Sequence, residues 1–137
     1  MAHANQTVAR SAPTSKQQWG GRIISAVPIL FLTFDAAVHI AKIPPVVEAF
    51  GQLGYPISLA FGIGVLALIC TAVYAIPRTA FLGAVLLTGY LGGAIATQVR
   101  IGAGAFPVIF PVLVAGLLWT GLFLRDRRLR QYLLVRG

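Results

Sequence analysis

Four apolar stretches of about twenty residues dominate this chain, and they leave little choice of solvent. They run over 23–41, 57–76, 80–99 and 106–124. Each matches the ~20 residues that carry a helix across a ~30 Å hydrocarbon core at ~1.5 Å per residue. Strands are excluded as spans: the runs lack strict alternation, and an open sheet edge has no partners in lipid. Only 10% of the 137 residues are charged while 58% are hydrophobic. A soluble domain carries about a quarter charged residues, so the composition points the same way. The expected fold is an all-α membrane protein, an antiparallel four-helix transmembrane bundle.

The ends of these stretches set their order. Pro77-Arg78-Thr79 is short enough to force a helical hairpin, and the loop over 100–105 is also short. The loop between the first two spans is longer. Within it Val46, Val47, Phe50 and Leu53 recur at helical spacing while Glu48 and Gln52 fall off the stripe, which predicts a short helix at the membrane surface. Residues 1–18 read as a disordered cytoplasmic tail, 19–130 as the four-span domain and 131–137 as a basic tail. The polar first twenty residues do not read as a signal peptide. The segment after Arg125 mixes Arg with Leu129, Tyr132, Leu133 and Leu134. It reads as a continuation of the last span that then lies on the anionic leaflet.

Charge gives orientation. Arg10, Lys16, Arg22, Arg78, Arg125, Arg127, Arg128, Arg130 and Arg136 fall on one side of the bilayer, and only Lys42 and Arg100 on the other. The positive-inside rule places the nine, and with them both termini, in the cytoplasm. The formal charge of +8 therefore reflects lipid headgroups rather than a nucleic-acid partner, because no basic stripe with interleaved aromatics exists.

Glycines crowd the third span. Gly89 and Gly93 make a GxxxG step, with Thr97 one turn further. Such a face serves packing within the chain or a seam between two copies. Trp19, Trp119, Tyr55 and Tyr132 read as anchors at the membrane interface. Lone Cys70 reads as a packing residue and forms no CxxC.

Asp35 is the residue that most invites a chemical reading. A carboxylate near the middle of a span costs about 2.5–3.5 kcal/mol to insert, so it faces the bundle interior and finds a partner. His39 follows at i+4 on the same face. The two either satisfy each other or form a polar pocket. Tyr90 and Gln98 on the third span are candidate pocket residues. Arg100 either snorkels to headgroups or reaches the Asp35 face, provided the first and third spans are neighbours. No third or fourth metal ligand accompanies the pair. His3 lies in the tail and only His39 in a span, which excludes two-His haem ligation. No catalytic motif is present, and no cofactor is indicated.

Taken together, WGGRIIS (19–25), FLTFDAAVHI (31–40), PPVVEAFGQLGYP (44–56), IPRTAFLGAVLLTGYLGGAIATQVRIG (76–102) and LLWTGLFLRDRRLR (117–130) resemble the DoxX-like family of small four-span membrane proteins. The resemblance implies an antiparallel bundle in the bacterial cytoplasmic (inner) membrane. Some relatives are linked to membrane redox systems, including thiosulfate:quinone oxidoreduction. The family's intramembrane acid falls on Asp35. A second carboxylate of relatives falls at Ala67, and their histidines at Gln98 and Pro107. Two functions follow as expectations. One is a non-catalytic subunit or scaffold with protein partners in a redox-associated membrane assembly. The other is a binder of a quinone or lipid around Asp35 and His39.

Overall fold

The computed structural model describes residues 15–134; the segments 1–14 and 135–137, with His3, Arg10 and Arg136, lie outside the described residues. The described chain is helical throughout its elements: α1 (Ser15–Ala41), α2 (Pro44–Leu53), α3 (Leu59–Ala75), α4 (Ala80–Arg100), α5 (Ala105–Arg125) and α6 (Arg127–Leu134). By length and composition α1, α4 and α5 are able to cross a bilayer, and α3 is a shorter apolar helix. The four pack as a bundle.

The element boundaries follow local chemistry. Pro44 and Pro45 open α2 where their missing N–H groups have no helical partner. Gly54 closes it with φ 71°, a left-handed value that glycine adopts without a Cβ penalty. Lys42, just before α2, is also left-handed at φ 51°. Thus α2 hangs between two left-handed residues. In the α3–α4 turn the Thr79 hydroxyl donates to the Val73 carbonyl at 2.8 Å.

Two expectations at the ends are corrected. Helix α1 starts at Ser15, inside the segment expected to be a disordered tail. The last span does not run on through the arginines. Asp126 adopts extended backbone (φ −101°, ψ 108°) and ends α5. Its Oδ1 then accepts from the N–H groups of Arg128 (2.9 Å) and Leu129 (3.3 Å), an N-cap that starts a new helix.

The main interfaces are α1–α5, α1–α3, α3–α4 and α4–α5. Helices α1 and α4 therefore stand diagonally across a square. The outside is apolar: Leu30 and Phe34 of α1 are 70% and 67% exposed. An apolar outside suits a bundle surrounded by lipid, where helix association depends on close contact and hydrogen bonds.

The closest contact lies at the end where α1 begins and α5 ends. Buried Tyr74 of α3 donates its hydroxyl to the Leu118 carbonyl of α5 at 2.6 Å and lies 3.2 Å from Ser25 Oγ of α1. Arg125 donates to the Tyr74 carbonyl at 2.8 Å, with its guanidinium 4.6 Å from the centre of the Tyr74 ring. Gly83 and Gly121 make room for this cluster. A Cβ on Gly83 would strike the Tyr74 backbone, and one on Gly121 would strike Ser25.

Of the two roles expected of the GxxxG step, packing within the chain is not the one it takes. A Cβ added to Gly89 or Gly93 would meet nothing within 4 Å, so these glycines seat no neighbouring helix of the chain. Thr97 turns its hydroxyl back to the Ala94 carbonyl at 2.8 Å.

Candidate functional site

The open space beside Gly89 and Gly93 belongs to a cavity of about 760 Å³ in the half of the bundle that carries α2. Its origin is traceable to side-chain size. On the face of α4 turned to the diagonal, Gly89, Gly93 and Ala94 are too small to reach α1, and Tyr90 beside them crosses to it. Helix α5 adds Pro107 and Pro111 there. The volume left between them is not filled from α3, which contributes Leu59, Ile63 and Leu66 to the wall. Helix α2 covers this region with Ala49, Phe50 and Leu53.

Polar groups enter the cavity from two helices. Asp35 and His39 sit one turn apart on α1, with side chains 28% and 19% exposed. His39 Nδ1 lies 2.7 Å from the main-chain carbonyl of Asp35. A carbonyl oxygen only accepts, so Nδ1 carries the hydrogen and Nε2 is the acceptor of the neutral ring. The same Nδ1 is 3.6 Å from Asp35 Oδ2. From α4, across the diagonal, the Tyr90 hydroxyl donates to Asp35 Oδ2 at 3.5 Å, a long bond. Gln98 lines the cavity further along α4. Gly64 sets the depth of the α1 pair: its missing Cβ lets α3 approach Ala36 and His39.

Arg100 stands apart from this group. The condition for it to meet Asp35 fails, because α1 and α4 are diagonal partners. Its guanidinium donates instead to the Leu53 carbonyl at the end of α2 and lies 5.2 Å from the centre of the Tyr55 ring. It ties α4 to the helix that covers the cavity.

Aromatic side chains make up much of the wall. Phe31 meets Phe110 edge-on at 5.0 Å, and Phe106 lies 5.5 Å from Phe110. Phe50 is 5.9 Å from His39 and 6.5 Å from Tyr55. Tyr55, expected at the membrane interface, is a wall residue. Sequence reading missed this set because phenylalanines in a membrane span look alike whether they face lipid or a cavity. Trp119 donates to Thr88 Oγ1 at 2.9 Å on the exposed face of α4 and α5. Cys70 is buried. Among the described residues no group of three His, Cys, Asp or Glu side chains comes together.

The model of the DoxX-like family matches residues 23–121. The chain belongs to the DoxX-like family. The match covers most of α1, all of α2 to α4 and most of α5, and it holds every helix that lines the cavity. This DoxX-like chain is therefore a multi-pass membrane protein. Comparison with curated proteins and with solved structures finds no match.

Proposed function

We propose that this DoxX-like protein binds a small lipophilic molecule with a polar head in the cavity beneath α2. The observation that carries the reading is the coincidence of one cavity with the chain's intramembrane acid. A pocket of about 760 Å³, apolar with a few convergent polar groups, has the size and character of ligand sites of about 300–1,000 Å³. Asp35 is costly to place in a span, and the cavity gives that placement a use. Tyr90, His39 and Gln98 join it at the same wall. The scaffold role inferred from the lack of catalytic groups needs none of this space.

The orientation proposed with this reading has both termini in the cytoplasm of a bacterial inner membrane, because nine of eleven Lys and Arg residues fall on that side. The cavity then lies in the half of the membrane away from the cytoplasm.

Native mass spectrometry of the protein released from mild detergent tests the reading. The wild type should retain a small molecule. Gly93→Leu should fill open space without loss of folding and abolish retention. A wild type that never carries a ligand, or a Gly93→Leu variant that carries it equally, would sink the proposal. A particle held together only by other polypeptides would return the scaffold role.

A further inference from the structure

We infer that the head of the ligand is a hydrogen-bond donor bearing positive charge, so that the cavity selects lipophilic amines. The inference rests on the binding proposed above and narrows its chemistry.

The polar atoms around the cavity are mostly acceptors. Asp35 Oδ1 has no donor among the described residues, while Oδ2 has the long bond from Tyr90 and His39 Nδ1 at 3.6 Å. His39 commits its Nδ1 hydrogen to the Asp35 carbonyl, which in the neutral ring leaves Nε2 as an acceptor. The Thr97 hydroxyl hydrogen is used on the Ala94 carbonyl, so its oxygen has only lone pairs to offer. Tyr90 spends its hydrogen on Asp35. Gln98 and the Tyr55 hydroxyl each offer both a donor and an acceptor. A head that only accepts, such as a quinone carbonyl, would compete for the few donors and leave the carboxylate unanswered. A primary ammonium supplies three donors to this array.

Charge and shape agree. Among the described residues Asp35 is the only acidic one on the cavity wall, and no Lys or Arg lines it. Arg100 is held at the Leu53 carbonyl and the Tyr55 ring. Beside the carboxylate stands the His39 ring, its Nδ1 3.6 Å from Oδ2, with no Lys or Arg among the described lining residues, and a ligand cation would offset the cost of burying the carboxylate. Phe31, Phe50, Tyr55, Tyr90, Phe106 and Phe110 all line the cavity, and ring faces attract cations.

Two photoreactive probes with the same diazirine-bearing alkyl chain, one ending in an amine and one in an alcohol, separate the possibilities. Labelling of the purified protein would be titrated and mapped by peptide mass spectrometry. The amine should label cavity residues at roughly tenfold lower concentration than the alcohol, the margin expected of a charge-assisted over a neutral hydrogen bond. In Asp35→Asn the amine should fall to the level of the alcohol while alcohol labelling stays. Equal labelling by both probes in the wild type overturns the amine preference and leaves ligand binding standing. So does an amine advantage that survives in Asp35→Asn. Should neither probe reach a cavity residue, the binding proposal fails together with this one. The wild-type comparison needs no variant, so it decides even where Asp35→Asn folds poorly.

Discussion

The two halves of this bundle use the same small residues to opposite ends. Near the start of α1 and the end of α5, Gly83 and Gly121 bring backbones into contact around Tyr74 and Ser25. Near α2, Gly89, Gly92 and Gly93 face open space. The first half gains stability from close approach and from hydrogen bonds that lipid cannot replace. The second makes one such approach at Gly64, against Ala36 and His39, but leaves it unmade along α4, where it holds a cavity with a carboxylate on its wall. A glycine in a transmembrane helix is therefore no sign of packing by itself; what faces it decides.

Substitution with alanine gives the widest contrast. Gly83→Ala forces a methyl against the Tyr74 backbone and should cost about 3 kcal/mol, seen as a large fall in melting temperature in detergent. Gly93→Ala should cost nothing and add up to about 1 kcal/mol of helix propensity. Equal effects at the two positions would erase the distinction between the halves. Tyr74→Phe comes next. It removes the bonds to the Leu118 carbonyl and to Ser25 and should cost about 1–2 kcal/mol, while ligand retention remains. Loss of ligand in Tyr74→Phe would mean that the halves are coupled. The smallest effect on stability is expected at Arg100. Arg100→Gln gives up an exposed cation–π contact and should cost at most about 1 kcal/mol. Yet ligand dissociation should quicken, because α2 loses its tie to α4. An unchanged off-rate would show that α2 does not control access.

The spans were legible because twenty-residue apolar runs have one stable solution in lipid. Helix α2 was legible because Val46 and Phe50, its buried residues, repeat at helical spacing. Asp35 and His39 were readable as a pair, and Tyr90 as a candidate, since polar groups stand out in a span. Three features lay beyond sequence reading. The partner of Arg100 is a main-chain carbonyl, which carries no residue identity. Tyr74 looks like any aromatic until its hydroxyl meets Leu118. The break at Asp126 hides because RDRRLR suits a helix throughout, and only the capping bonds reveal that two helices meet there.

The suspension of α2 between Lys42 and Gly54 has a consequence for time rather than structure. If α2 opens, a ten-residue helix with a left-handed residue at each end would move as one piece, the change absorbed in a few dihedrals at its ends. Opening of this sort falls on the microsecond-to-millisecond scale of collective motions, slower than the nanosecond movements of single side chains. Entry and exit at the cavity would then share one gate with one rate, and a molecule caught beneath α2 would wait for the whole helix to swing.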